Sequence, residues 1–264
     1  MTALRTVTAV RYVTPLREGG SLPAIIEADD SQLYVTKFRG AGQGPAVLVA
    51  EVIVGELGRS LGLPVPELVV VDLGEALARA EPDPEIQALL TGSVGANLGL
   101  SYLAGALAFD AAAPRGLEGE LASQIVAFDA FVMNVDRTAR NTNLLVVGGK
   151  LWLIDHGAAL YFHHDWDGGT KGSDRPFTAI RDHVLLPLAA ALETAGPTLL
   201  QKVDDAAIDR ACQQVPDAWL TAQSDTPLAG PDAHRAAYAA YLRARRDAAP
   251  IFLEEARRAR VARL

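Results

Sequence analysis

Residues 134–157 read NVDRTARNTNLLVVGGKLWLIDHG. A polar loop with Asp136, Arg137, Arg140, Asn141 and Asn143 leads into two apolar runs joined by Gly148-Gly149, and Asp155 closes the second run. A Gly-Gly pair between apolar runs predicts a two-residue hairpin turn. Antiparallel pairing then folds the far ends together and sets Asn141 and Asn143 beside Asp155, with Asp136 close by. Carboxylate and carboxamide oxygens are hard ligands of the kind Mg²⁺ takes. A further carboxylate can accept or orient the proton of a hydroxyl. These are the parts of a phosphoryl-transfer site. A loop aspartate by itself is more often a turn residue. The ordered set Asp136, Asn141, Asp155 carries the catalytic reading.

Such a site needs positive charge against phosphate, and the N-terminal third supplies a candidate. RTVTAVRYV (5–13), LPAIIEA (22–28) and QLYVTKF (32–38) read as strands, and Lys37 lies on the third. AVLVAEVIVGELGRSLG (46–62) has apolar residues at helical spacing. Glu51 on that helix is a partner for Lys37, and Glu56 competes with it. Gly19-Gly20-Ser21 turns the chain between the first two strands. It reads equally as a plain hairpin turn and as backbone approaching phosphate oxygens.

PVPELVVVDL (64–73) reads as a fourth strand, and 74–90 as short helices. The stretch 91–110 holds a strand and a crossover, and 117–134 is a helix ending just before Asp136. After a polar loop, TAIRDHVLLPLAAAL, DAAIDRACQQV and HRAAYAAYLRARRDAAPIFLEEARRARV all carry the helical period. His163, His164, Asp165 and Asp167 are metal-ligating residue types, but adjacent histidines in a loop do not by themselves make a site.

The 264 residues suffice for one large domain or two lobes sharing a cleft, and the 50% hydrophobic content argues against global disorder. A formal net charge of −8 argues against a general nucleic-acid binder. A single cysteine, Cys212, excludes an internal disulfide and fits a reducing compartment. The N-terminus lacks the apolar core of a signal peptide, and no run approaches a membrane span. The expectation is a soluble, cytoplasmic protein.

Lys37, Glu51 within AEVIVGELGRSLGLPVPE, NVDRTARN and IDHG, in that order, resemble the protein-kinase-like fold, and within it most the HipA-like kinases. The phosphatidylinositol 3/4-kinases and small-molecule antibiotic kinases are more distantly similar. The resemblance covers roughly residues 10 to 160. It implies an α+β, bilobal fold: a small β-rich N-lobe with one long helix (1–107) and a mainly helical C-lobe (108–264). It implies ATP and Mg²⁺ as cofactors. Lys37, held by Glu51, would contact the α/β-phosphates, and Gly19, Gly20 and Ser21 would approach the phosphates. Asn141 or Asn143, with Asp155, would hold Mg²⁺. Asp136 would be the catalytic aspartate, and Arg137 would either stabilise developing charge or pair an acid structurally. The segment around His163 occupies the place of an activation segment. The implied reaction moves the ATP γ-phosphate to a hydroxyl, with a protein Ser/Thr acceptor first and a small molecule or lipid headgroup as the alternative. A nucleotide-binding module without turnover is the other reading. The chain departs from the HipA-like pattern at Thr138, where the family usually has His.

Overall fold

The first run of alternating residues builds β1 (Thr6–Pro15), whose buried positions include Val7 and Ala9. It pairs antiparallel with β2 (Ala24–Ala28), which pairs antiparallel with β3 (Leu33–Lys37). The structure, a computed structural model, describes residues 3–16, 22–42, 44–114, 117–166, 168–221 and 228–263. The expected phosphate-approaching turn at Gly19, Gly20 and Ser21 therefore lies outside the described residues.

After β3 comes α1 (Pro45–Ser60), opened by a proline at its first position, where the missing N–H costs no hydrogen bond. Then follow β4 (Leu68–Leu73), α2 (Glu75–Ala80), α3 (Pro84–Gly92) and β5 (Gly95–Ser101). The strand order β1-β2-β3-β5-β4 closes into a barrel because β4 returns to lie parallel to β1, with Val7 opposite Val71. Val7, Ala24, Ile26, Tyr34, Val69 and Val71 fill it. Closure removes the unpaired strand edges a five-stranded sheet would otherwise expose.

The second half begins with β6 (Leu107–Ala108) and α4 (Gly119–Val132). The hairpin is β7 (Leu144–Val147) and β8 (Lys150–Leu153), with Val147 opposite Lys150. Both turn residues, Gly148 and Gly149, have positive φ (55° and 79°), the backbone a tight two-residue hairpin requires. β6 adds to β7 as a third strand, a pairing not expected from its sequence.

The remainder is α5 (Leu192–Leu200), α6 (Asp205–Gln213), α7 (Asp217–Thr221), α8 (Pro231–Asp247) and α9 (Ala249–Val261). Two helical expectations need correction. TAIRDHVLLPLAAAL is two short 3₁₀ turns, Thr178–Asp182 and Leu186–Leu188, because Pro187 cannot donate within a helix. The long C-terminal pattern splits at Ala248, since Pro250 can only enter the first turn of a new helix.

Helix α1 is buried along most of its length, from Leu48 to Gly58, and packs against α6 and α7. It belongs to the larger core, which also takes in α4, the hairpin and the C-terminal helices. That core thus joins residues on both sides of position 107. Among the described residues no helix is long and apolar enough to cross a membrane.

Helix α8 holds the segment that follows β8. Phe162 stacks on Tyr241 with ring centroids 3.5 Å apart, and Trp166 packs against Phe162 and Tyr238. His163 Nδ1 lies 3.1 Å from the Tyr238 hydroxyl. Buried Arg245 donates to the carbonyls of Ser173, Arg175 and Ala130 and sits 4.3 Å over the Phe252 ring. Burial pulls its pKa down to about 10, so the guanidinium keeps its charge at neutral pH and binds these carbonyls strongly.

Candidate active site

Lys37 ends β3, where it is buried but polar-tipped. Its Nζ donates to Glu51 Oε1 on α1 and to Asp155 Oδ1 after β8, the latter at 2.6 Å. Glu51 is fully buried, and its Oε1 also accepts the backbone N–H of Gly157 at 2.9 Å. The competing acid, Glu56, pairs with Arg59 on its own helix at 3.3 Å. One ammonium therefore joins the barrel, α1 and the end of the hairpin. Burial alone would lower the Lys37 pKa, but Glu51 and Asp155 together raise it above the ordinary lysine value. Burial would raise the Glu51 pKa, but Lys37 and His156 hold it well below the ordinary carboxylate range. Asp155 is raised, because burial and the neighbouring Glu51 outweigh the pull of Lys37.

Gly157 permits this close assembly. A Cβ there would meet the Val47 side chain of α1 and come within 3.2 Å of Glu51 Oε1. The glycine lets the chain after Asp155 press directly on α1.

The opposite side of the cleft comes from the loop after α4. Met133 ends that helix in the left-handed region (φ 57°), which turns the chain sharply into Asn134-Val135-Asp136. Asp136 Oδ2 accepts from Asn141 Nδ2 at 2.7 Å and from Asn143 Nδ2 at 3.3 Å. Its backbone N–H donates to Asn134 Oδ1 at 3.1 Å. Thr138 closes the loop: its N–H reaches the carbonyls of Asp136 and Asn141, and its Oγ1 accepts from Asn141 N–H. Asn141 is exposed at the cleft and Asn143 is buried at the foot of β7.

Lys37, Asp136, Asn141, Asn143, Asp155 and Gly157 line one cleft of about 590 Å³, a size typical of small-ligand sites. Tyr161 and His164 also line it. Met133, Asn143, Asp155 and Leu160 around it all have positive φ. Non-glycine residues reach that conformation only where their surroundings hold them.

The expectation that Arg137 faces developing charge in the cleft does not fit its placement. Arg137 is 1% exposed and turned inward. Its Nε donates to Asp129 at 2.5 Å and its Nη1 to the carbonyls of Asn143 (2.5 Å) and Ile154 (3.3 Å). The buried carboxylate of Asp129 outcompetes the solvated cleft for the guanidinium. The other arginine of the loop, Arg140, is exposed.

Asp129 is the site residue that sequence reasoning missed. It accepts from Asn134, Arg137 and His183, the last at 2.9 Å. The signal was present: one acid stands inside the apolar helical run IVAFDAFV, and such an acid is rarely buried without partners. His183 Nδ1 accepts from Leu185 N–H at 3.0 Å, so Nε2 carries the proton donated to Asp129.

The neighbouring histidines do not converge on a metal. His163 faces Tyr238, and the His163 and His164 rings meet edge-on at 4.5 Å. Among the described residues no three His, Cys, Asp or Glu side chains cluster as a metal site. The cleft instead gathers two carboxylates, Asp136 and Asp155, and two carboxamides, Asn141 and Asn143. An all-oxygen set this sparse suits Mg²⁺, which typically takes one or two carboxylates and completes its shell with water and phosphate.

These buried groups set the acid sensitivity. Burial pushes the His163 pKa down to about 3, so between that value and the ordinary 6.5 or so only the unfolded chain holds the proton, and stability falls as pH drops. For Asp129, burial would raise the pKa, but Arg137 and His183 hold it low, as Lys37 and His156 do for Glu51. Both carboxylates stabilise above about pH 4 and lose that contribution as pH falls further. Going from pH 7 to pH 5 is expected to cost on the order of 2 kcal/mol from His163 alone. His163→Phe should make this part of a denaturant-midpoint series against pH shallower, with buried His183, whose pKa burial also lowers, keeping a residual slope, and should leave the steeper loss below pH 4.

No curated protein sequence matches the chain. Among solved structures, the proinflammatory kinase CtkA of Helicobacter pylori superposes with a TM-score of 0.57 at 10% identity, covering 98% of this chain and 97% of that one. The Golgi casein kinase superposes with a TM-score of 0.51 at 13% identity, covering 97% of this chain and 74% of that one. At these identities the likeness shows the fold, which is kinase-like with mixed helix and strand. The family of HipA-like kinases matches the sequence over residues 9–244. A match over that much of the chain, with a kinase-like fold behind it, places the protein in the HipA-like kinase family.

Proposed function

We propose that the protein transfers the γ-phosphate of ATP to a hydroxyl, with a protein Ser/Thr side chain as acceptor. The observation that carries this is Lys37 spanning Glu51 and Asp155 in the cleft that also holds Asp136 and its two asparagines. In this reading residues 1–107 cover the nucleotide and residues 108–264 carry the catalytic loop, in a two-lobed arrangement. Lys37, oriented by Glu51, neutralises the α/β-phosphates. Gly19, Gly20 and Ser21 would offer backbone N–H groups to the phosphate oxygens. Asp155, with Asn141 or Asn143, would hold Mg²⁺, which would supply positive charge against the phosphates. Asn141 and Asn143 both donate to Asp136 Oδ2, which aims the carboxylate and leaves Oδ1 for the acceptor hydroxyl. Asp136 orients that hydroxyl and takes its proton as the new P–O bond forms and ADP leaves. Arg137 supports the loop from behind. Positioning and electrostatics supply most of the rate enhancement. The site of action is the cytoplasm, without direct contact to membrane or nucleic acid.

The test is incubation with γ-labelled ATP, Mg²⁺ and a cell lysate, followed by separation of protein from metabolites. Label on serine or threonine of protein is the expected result. Label confined to small molecules or lipids replaces the acceptor class. Nucleotide binding by calorimetry with no transfer and no autophosphorylation would leave a regulatory module instead.

A further inference from the structure

One buried carboxylate holds both halves of the site. Asp129, fully buried at the end of α4, accepts from three side chains on two segments, the loop after α4 and the stretch between the 3₁₀ turns. Asn134 Nδ2 reaches Oδ1 at 3.2 Å from the start of the catalytic loop. Arg137 Nε reaches Oδ2 at 2.5 Å from the loop itself, and His183 Nε2 reaches it at 2.9 Å from the 3₁₀ turns. Held in this way, Arg137 extends Nη1 to the carbonyls of Asn143 and Ile154. The Ile154 carbonyl belongs to the peptide that begins Asp155. Gripping its oxygen fixes the plane from which Asp155 departs at φ 55°. The Asn143 carbonyl is also the acceptor for Ile154 N–H, at 3.1 Å. The Arg137 carbonyl accepts from Val184 N–H at 3.0 Å, so the arginine is tied at both ends.

Asp136 is thus flanked by two residues that bond to Asp129, and Asp155 hangs from a peptide held by one of them. We infer that Asp129 is a positioning residue that sets the placement of Asp155 and Asn143 relative to Asp136, acting through Arg137. His183 orients the Asp129 carboxylate. The consequence is that Asp129 tunes the divalent-metal affinity of a site it never touches. A purely stabilising role explains the cluster less well. Burying an ion pair costs desolvation that its attraction barely offsets, and apolar replacements are often as stable. What such a cluster can supply that an apolar one cannot is directed hydrogen bonds to two specific carbonyls.

This inference rests on the kinase reading, and the experiment separates the two. Mn²⁺ binding in the presence of ADP is followed by water-proton relaxation, without turnover, for the wild type, Asp129→Asn, His183→Ala and His183→Gln. Metal-free ADP affinity, thermal midpoint and the Mg²⁺ dependence of transfer are measured alongside. Asp129→Asn is expected to weaken Mn²⁺ binding by about 10- to 100-fold and leave metal-free ADP affinity within about twofold. His183→Ala shifts Mn²⁺ binding in the same direction, and His183→Gln, which keeps a side-chain N–H, restores it. If Asp129→Asn does not fold, the His183 pair decides alone. Mn²⁺ affinity equal to wild type in the folded variants, even with a lowered thermal midpoint, overturns the positioning role and leaves the kinase reading standing. A wild-type protein that neither binds Mn²⁺ with ADP nor transfers phosphate overturns both.

Discussion

Asp136→Asn is expected to fold like the wild type and to transfer phosphate about 10²- to 10⁴-fold more slowly. The substitution keeps the size of the side chain and an oxygen that can accept from Asn141 and Asn143. It removes the negative charge and the basicity that a departing hydroxyl proton needs. The loss should fall on kcat, with little change in the ATP concentration giving half-maximal rate, because in the proposed mechanism Asp136 serves the acceptor and not the nucleotide. A thousandfold loss corresponds to about 4 kcal/mol of transition-state stabilisation. Steady-state rates with labelled ATP, beside an unchanged thermal midpoint, are the measurement. A rate within a few-fold of wild type in the folded variant would remove Asp136 from the chemistry.

Lys37→Met should be costly in two ways that a second substitution can separate. The methionine preserves the length of the stem but leaves Glu51 fully buried without its counter-charge. Breaking a buried pair by removing one partner typically costs about 3–5 kcal/mol, because the remaining charge stays desolvated. The Lys37 pKa is raised and the Glu51 pKa is lowered. The pair therefore contributes fully between about pH 5 and pH 10, and loses its contribution below the first value through Glu51 and above the second through Lys37. Adding Glu51→Gln to Lys37→Met removes the stranded charge. The double variant should regain most of the lost stability in denaturant titrations at pH 7. It should not regain activity, since nothing replaces the ammonium against phosphate. A loss of about 10²-fold or more in transfer is expected for both variants. Recovery of activity along with stability would show that Lys37 serves the fold alone.

The two results bear on different halves of the cleft. Asp136 sits in a loop with few long-range constraints on its own side chain, so its neutral analogue disturbs little. Lys37 stands where the barrel, α1 and the hairpin meet, and its loss reaches all three.

Local pattern made part of this arrangement legible. The Gly148-Gly149 turn and the apolar runs around it dictate a hairpin whose ends meet, whatever the rest of the chain does. That brings Asn143 opposite Ile154, one residue from Asp155. The helical run before Asp136 and the strand bearing Lys37 likewise follow from periodicities of 3.6 and 2. Breaks that depend on proline are less legible from apolar spacing. Pro187 and Pro250 interrupt patterns whose apolar spacing continues through them.

From the sequence alone come the identities and order of the chemical groups: Lys37, Glu51, Asp136, the two asparagines and Asp155. The tertiary structure decided their partners. Lys37 meets Asp155 across 118 positions of sequence, and it chooses Glu51 over Glu56 because α1 turns that side inward. Arg137 faces Asp129 instead of the cleft, and His183 arrives from 54 residues away to complete that cluster. The reason is physical. Spacing determines which side chains share a face, but the pairing of a buried charge depends on every segment that excludes water around it. Those segments become neighbours only when the chain is folded.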